Sequence, residues 1–169
     1  MRIKFALALS FLANLALWGC SGGYSFTGAS IPVEAKTISI SQFPNYASTV
    51  NPQLSQKIYD ALLQMFSSQT SLNVSPSDGD LQLSGEITDY TTKASSISSS
   101  DNVATNRLTV TIRVKFSNRF DPEADFEQSF SRFKDYNASL DLSAVEASLV
   151  SEIVTELCED IFNKSVVNW

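Results

Sequence analysis

Cys20 is the residue whose position most clearly predicts a chemical modification. Residues 1–4 carry two cations, and residues 5–18 form an almost unbroken apolar run. A run of about 14 residues fits the hydrophobic region of an export signal and is short for a membrane span of roughly 20. Because Gly19 and a cysteine follow, the segment resembles a lipoprotein signal, cleaved before Cys20, whose thiol then carries a diacylglyceryl group. Ordinary secretory cleavage nearby is the alternative.

The remaining residue types argue against catalysis. The chain has no histidine, which removes histidine-based acid–base catalysis, Ser-His-Asp and Cys-His nucleophile systems, and histidine metal ligands. Cys158 lies in a helical apolar pattern and is interpreted as a small buried hydrophobe. A hydrolase that uses carboxylates alone is disfavoured because the aspartates are scattered over predicted turns and strand edges, at Asp78, Asp80, Asp89, Asp101 and Asp121. The sequence therefore predicts a non-enzyme that needs no cofactor and no metal.

Five basic residues are the candidates for binding a partner. Lys93 and Arg107 flank a serine-rich connection. Arg113, Lys115 and Arg119 follow Arg107 at even spacings, so they are expected on the same face of a predicted strand. Loss of the signal moves the formal net charge from −6 to −8, which disfavours nucleic-acid binding. In so acidic a chain, the row of basic residues concentrates positive charge on one surface. Two interpretations remain open. The row either pairs across strands with acids at 86 and 127, or it contacts an anionic partner such as lipid phosphates or an acidic protein wall.

Alternating and helical patterns place these residues on a sheet covered by two helices. Strands are predicted at 36–43, from 81 to 88, from 108 to 117 and at 125–136, the last with a bulge that brings Phe130 and Phe133 to one side. A short extended piece is expected at 72–74. A first helix is expected from Asn51 as N-cap and Pro52 as first residue, and a second from a capping box of Ser143 and Glu146.

These elements predict an α+β fold, a two-layer sandwich of order β-α-β-β-β-α. A four-stranded mixed sheet carries both helices on one face. Residues 1–19 form the signal peptide, residues 20–35 a lipidated tether, and residues 36–169 a single domain. The connection at 91–106 is expected to continue its two strands as a hairpin arm beyond the helices. Because it is polar on both parities, it is either a flexible loop or a tip that meets a partner.

The order of several short motifs resembles one family over nearly all of the mature chain. The motifs run from Cys20 through residues 23–28, 36–45, 50–55, 106–111 and 129–133. Together they resemble the lipopolysaccharide-assembly lipoprotein family (LptE), in the branch found in Bacteroidetes. The resemblance implies a non-enzymatic outer-membrane lipoprotein, with its lipid anchor facing the periplasm. Such a protein plugs an LptD-like β-barrel translocon, assists that barrel's assembly, and contacts lipopolysaccharide during its insertion into the outer leaflet.

The resemblance also suggests contact positions. The family's basic lipopolysaccharide-contacting residues lie near the loops of its sheet, where Lys93 and Arg107 are the nearest counterparts here. A second hypothesis is a periplasmic scaffold or activator lipoprotein that regulates a cell-wall synthase, because the first predicted strand and helix also resemble the start of such domains. Both hypotheses predict a membrane-tethered binding module.

Overall fold

A mixed sheet forms one layer of the structure and two helices form the other. The structure is a computed structural model that describes residues 31–96 and 104–167. The strands and helices are β1 (Thr37–Ile40), α1 (Leu54–Gln69), β2 (Asn73–Ser75), β3 (Leu81–Ser96), β4 (Thr105–Asn118), β5 (Phe126–Asn137) and α2 (Leu142–Val166). Across the sheet the strand order is β2-β1-β3-β4-β5. The predicted signal, the start of the tether and the tip of the predicted arm lie outside the described residues.

The α+β fold with two helices on one face is confirmed, but the sheet has five strands, not four. The extra strand is β2, which the sequence indicated only as a short extended piece. It pairs parallel to β1, and the Asn73 N–H donates to the Lys36 carbonyl at 2.9 Å. Three residues are too few to show an alternating pattern, so pairing with a neighbour creates this strand.

The predicted first strand is shorter than expected because the chain leaves the ladder after Ile40. The chain returns to β3 at Asn45, which forms a parallel bridge to Ile87. Phe43 is fully buried between these two contacts and lies against Gly85. A Cβ on Gly85 would come within 2.5 Å of both the Phe43 ring and the Arg113 carbonyl oxygen, so the sheet and this ring require glycine there.

One apolar core lies between the helices and the sheet. The inward face of β4 supplies five buried residues, Leu108, Val110, Ile112, Val114 and Phe116, which confirms the predicted alternation. On the helical side, the Phe66 and Phe162 rings meet edge to face with their centroids 5.0 Å apart. Their contact joins α1 to α2, so both helices cover the same face and the other face of the sheet stays open.

Both predicted helix caps are wrong. Helix α1 begins at Leu54, and the Asn51 side chain accepts only the Gln53 N–H, at 3.0 Å. Helix α2 begins at Leu142 without a side-chain cap, so Ser143 and Glu146 form no capping box. The reason is tertiary: Glu146 accepts hydrogen bonds from Asn51 and Tyr90, and these contacts replace the local cap.

The predicted bulge in the last strand is also wrong. Strand β5 pairs with β4 without a register shift over its whole length. Phe130 is therefore buried, while Phe133 lies on the open face with 48% of its surface exposed. Register shifts instead occur in β3, between Ile87 and Asp89 and between Ala94 and Ser96.

The predicted hairpin arm is present in the described residues. Strands β3 and β4 remain paired as far as Ser96 and Thr105, where the description of the arm ends. Residues 92–95 are all exposed, on both parities, so the helices do not cover this end of β3.

Candidate functional site: the open sheet face and the hairpin arm

Arg107 lies at the base of the arm, where the side chains of Asp135 and Phe133 contact its guanidinium. Its guanidinium forms two hydrogen bonds with the Asp135 carboxylate, at 2.8 and 2.9 Å, and lies 3.6 Å from the centre of the Phe133 ring. Asp135 raises the pKa of Arg107, and Arg107 in turn lowers the pKa of Asp135. The ion pair and the ring fix the guanidinium in one orientation on the open face.

Lys93 lies directly opposite Arg107 in the β3–β4 register. Its side chain is exposed and has no ion-pair partner among the described residues. Residues directly opposite each other have Cβ atoms roughly 5 Å apart, so two cations share one small area of the arm. An anionic group placed between them would relieve their repulsion.

The next two candidates lie further along the same face. Arg113 pairs with Glu86 of the neighbouring strand at 2.9 Å, as the cross-strand interpretation predicted. Lys115 lies opposite Ser84 on one side and Glu127 on the other. No ion pair forms between Lys115 and Glu127 in the described part of the chain, so the Lys115 ammonium remains a free charge on the face.

Arg119 is separated from the other four candidates. It follows the end of β4, at the end of the sheet opposite the arm, with its guanidinium 3.5 Å from the Asp80 carboxylate. Asp80 also accepts hydrogen bonds from the Lys36 N–H, the Thr37 hydroxyl and the Thr37 N–H, in that order the main causes that lower its pKa. These bonds tie the start of β1 to the start of β3, so Arg119 completes a structural cluster.

Hydroxyl side chains cover much of the open face between these charges. The Thr111 and Ser131 hydroxyls lie 2.9 Å apart across β4 and β5, and the Thr91 hydroxyl donates to Asp89 at 3.2 Å. Together with the ion pairs, they make this face polar.

The structure also contains an ion-pair ladder that sequence reasoning missed. Arg132 forms two bonds to Asp160, at 2.6 and 2.7 Å, and Lys134 contacts Glu156 at 2.6 Å and Glu152 at 3.4 Å. The three carboxylates belong to α2. Their four-residue spacing on α2 was the available signal, but the matching cations lie on β5 and depend on how the helix crosses that strand.

A second missed feature joins three elements near the arm. Tyr90 of β3 is buried, and its hydroxyl donates to Glu146 of α2, which also accepts from the Asn51 amide at 3.0 Å. Burial, followed by the bond to Glu146, raises the pKa of Tyr90 to about 12. This cluster holds the helix starts against the base of the arm.

Among the described residues, the candidates for function are binding surfaces, and no reactive centre is recognisable. Cys158 is buried, as predicted, and burial raises the pKa of its thiol to about 12. A cavity of about 340 Å³ opens beside Phe126 and Lys164, but Asp125 at its rim already accepts bonds from Asn118 and Ser117. Within residues 31–96 and 104–167, no cluster of three or more candidate metal ligands occurs and no helix is suited to span a membrane.

Fold and surface together define a class: a small α+β module with a polar sheet face, an arm and free strand edges. Residues 35–165 match the family described as lipopolysaccharide-assembly, LptE. The chain therefore belongs to the LptE family and is a lipopolysaccharide-assembly lipoprotein, as its motifs had suggested.

Solved structures show the same fold at low sequence identity. A minor lipoprotein from Acinetobacter baumannii matches with a TM-score of 0.51 and 12% identity, over 77% of this chain and 91% of that one. A hypothetical protein from Chlamydia trachomatis matches with a TM-score of 0.54 and 7% identity, over 79% of this chain and 99% of that one. No curated protein matches the chain.

Proposed function

We propose that this protein is a non-enzymatic plug and assembly subunit of the lipopolysaccharide translocon in the outer membrane. A diacylglyceryl group on Cys20 anchors it in the periplasm-facing leaflet, and the domain lies in the lumen of an LptD-like β-barrel. The observation that carries this proposal is the arm: β3 and β4 stay paired to Ser96 and Thr105 while residues 92–95 of β3 are exposed, and Lys93 and Arg107 lie opposite each other there. Membership of the LptE family supports the partner.

The arm's charges suit a phosphorylated lipid. Lys93 supplies an ammonium that forms no ion pair with a described residue, and Arg107 supplies a guanidinium already oriented by Phe133. A phosphate group that approaches between them competes with Asp135 for Arg107, so binding is reversible. Release matters to a transport subunit, because a site that holds its cargo too tightly would stop transport.

The other candidates have different roles in this proposal. Arg113 and Lys115 lie along the open face, where an acidic barrel wall would meet them. Arg119 lies at the end of the sheet opposite the arm and already pairs with Asp80. We therefore assign lipid contact to Lys93 and Arg107, barrel contact to Arg113 and Lys115, and a structural role beside Asp80 to Arg119.

Photo-crosslinking tests this division. A photoreactive residue at position 93 is expected to capture lipopolysaccharide or lumenal peptides of a barrel, and one at position 57 on α1 serves as control. Peptides from a cell-wall synthase at position 93 would support the alternative hypothesis instead. In the protein without a photoreactive residue, the double substitution Lys93→Ala and Arg107→Ala is expected to reduce the capture of lipopolysaccharide by the tagged, purified protein at least about tenfold, since each charge-assisted contact contributes roughly 1.5–3 kcal/mol. Equal capture by the double variant would refute the lipid role of this pair.

The anchor has its own test. Mass spectrometry of the purified protein is expected to show an N-terminal Cys20 with acyl chains attached. An unmodified Cys20, or cleavage at another residue, would remove the anchor from the proposal and leave the fold unaffected.

A further inference from the structure

The open face beside the arm consists of rows that run across β5, β4 and β3. In order away from the arm, the first row is Asp135, Arg107 and Lys93, the second is Phe133, Thr109 and Thr91, and the third is Ser131, Thr111 and Asp89. Neighbouring rows lie about 7 Å apart along the strands, and each row spans about 9.5 Å. The proposed phosphate contacts lie in the first row, so the second and third rows have no role yet.

Phe133 is the one apolar side chain in these three rows. The Arg107 guanidinium covers one side of its ring, 3.6 Å from the ring centre. Because 48% of the residue's surface is exposed, the rest of the ring remains accessible. Its neighbours across the sheet are Thr109 and Thr91, so the second row presents an apolar ring beside hydroxyl groups.

Asp89 supplies a hydrogen-bond acceptor in the third row. Its carboxylate accepts a bond from the Thr91 hydroxyl at 3.2 Å and forms no ion pair in the described part of the chain. An ionised carboxylate has about four acceptor sites, so most of this capacity is open to a ligand. A ligand that spans all three rows therefore needs an anionic group at one end and hydrogen-bond donors at the other.

We propose that the three rows form a binding site for a sugar ring that carries a phosphate group. The proposal rests on the proposed function, in which a phosphate lies between Lys93 and Arg107, and it names the group attached to that phosphate. The sugar ring lies over Thr109, its apolar C–H face packs on Phe133, and its hydroxyl groups donate to Asp89. Aromatic rings offer a sugar the large, flat apolar surface that such a face requires.

The spacing of the rows fits this ligand. A sugar ring in the second row directs a phosphate on one of its own oxygens toward the first row, and the hydroxyl groups on its opposite edge toward the third. The long side chains of Lys93 and Arg107 cover the remaining distance to the phosphate. One monosaccharide phosphate can thus contact all three rows.

Other occupants fit less well. An acyl chain gains contact with Phe133 but leaves the Asp89 carboxylate and the threonine hydroxyls without hydrogen-bond partners, which is unfavourable. A cationic side chain of a protein partner pairs with Asp89 but is repelled by Lys93 and Arg107. A sugar phosphate matches the charge of the first row, the ring of the second and the acceptor of the third.

Saturation-transfer NMR of the purified full-length chain in detergent tests the proposal with two small probes. N-acetylglucosamine 1-phosphate carries the sugar ring, and methyl phosphate carries the same phosphate monoester without it. The sugar phosphate is expected to bind about tenfold more tightly, because it adds the stacking and hydrogen-bond contacts. Its ring protons are expected to receive the strongest saturation, since they lie against Phe133.

Substitutions separate the sugar contacts from the phosphate contacts. Asp89→Asn and Phe133→Leu are each expected to weaken the sugar phosphate about threefold to tenfold. Both are expected to change methyl phosphate binding less than about twofold, because Asp135 still holds Arg107 by two bonds. Phe133→Tyr keeps the ring and is expected to bind both probes like wild type. Phe120→Leu is the matched control, because Phe120 is similarly exposed, at 45%, but lies outside the three rows.

Two results would overturn the proposal: equal affinity of the wild type for the two probes, or parallel loss of both probes in Asp89→Asn and Phe133→Leu. Unchanged binding of the sugar phosphate in these variants, when circular dichroism shows both to be folded, would do the same. If neither probe binds the wild type, the lipid role of Lys93 and Arg107 fails as well. Methyl phosphate binding without any preference for the sugar phosphate would leave the proposed function intact, so the two failures are distinguishable.

Discussion

Removal of one hydroxyl group, by Tyr90→Phe, is expected to destabilise the domain measurably. Tyr90 is 3% exposed, and its hydroxyl donates to the Glu146 carboxylate. A hydrogen bond to a charged group contributes about 1.5–3 kcal/mol. For a domain of this size, 1 kcal/mol shifts Tm by about 2–4 °C, so the variant is expected to melt about 3–12 °C lower.

The stabilisation by Tyr90 is also expected to depend on pH. The pKa of Tyr90 is about 12 in the folded protein, against an ordinary value of 10.0. Because the folded-state pKa is the higher one, this stabilisation is complete below pH 10 and is lost as the pH rises from 10 to 12. The difference in unfolding free energy between wild type and Tyr90→Phe is therefore expected to shrink over that interval.

Denaturant unfolding at pH 8 and pH 11 measures this difference, with Tyr59→Phe as control. Tyr59 lies on α1, and its hydroxyl has no hydrogen-bond partner among the described residues, so its loss is expected to change little. Glu146→Gln keeps an acceptor and is expected to cost less than Tyr90→Phe. Equal stability of wild type and Tyr90→Phe at pH 8, or a difference that does not change with pH, would refute the reasoning.

Three further perturbations follow from the packing and the charges. Gly85→Ala places a methyl group within 2.5 Å of the Phe43 ring and of a backbone carbonyl, so denaturant unfolding is expected to show a loss of about 1–3 kcal/mol. Lys134→Met removes a surface ion pair with Glu156, so Tm is expected to fall by a few degrees at most at low salt and less at 1 M salt. Cys158 is expected to react with a thiol reagent only upon unfolding, because burial raises its pKa to about 12, and the labelling rate in native buffer measures this.

Each of these has a clear contrary result. Wild-type stability of Gly85→Ala would mean that the sheet can move away from Phe43. A salt-independent loss in Lys134→Met would point to packing of the lysine stem in place of charge. Rapid labelling of Cys158 in native buffer would show that α1 and α2 separate more easily than their contact suggests.

Much of the fold follows from local pattern. In β4 the strict alternation from Leu108 to Phe116 marks a sheet with one buried face, and the structure has that face. Long stretches with an unbroken period are informative because every residue supports the same assignment of the buried and exposed faces. Strand β2 has three residues, too few for any period, and it exists because its backbone completes the edge of β1.

The errors at the helix starts have a common physical cause. A capping box is a local arrangement, and Glu146 instead accepts from Tyr90 and Asn51, which are distant in sequence. Tertiary contacts of this kind cannot be read from a short window of residues. The same is true of Phe133, whose place on the open face depends on β5 following β4 without a bulge.

The candidate site was predictable in position but not in detail. The continuity of two strands through the polar connection predicted that Lys93 and Arg107 lie close together at the base of an arm. The partner of Arg107 depends on the β4–β5 register, which brings Asp135 opposite it. The end of the pairing between β1 and β3 could not be foreseen at all, because it depends on where the chain after β1 leaves the sheet.

Affinity purification of the tagged, full-length chain from native outer membranes, at its natural expression level, tests the central claim most directly. The proposed plug and assembly role predicts recovery with a β-barrel of much larger mass after mild detergent extraction. Depletion of the chain is expected to lower surface lipopolysaccharide in the same cells. Recovery of the chain without any barrel, with surface lipopolysaccharide unchanged on depletion, would contradict the proposed function.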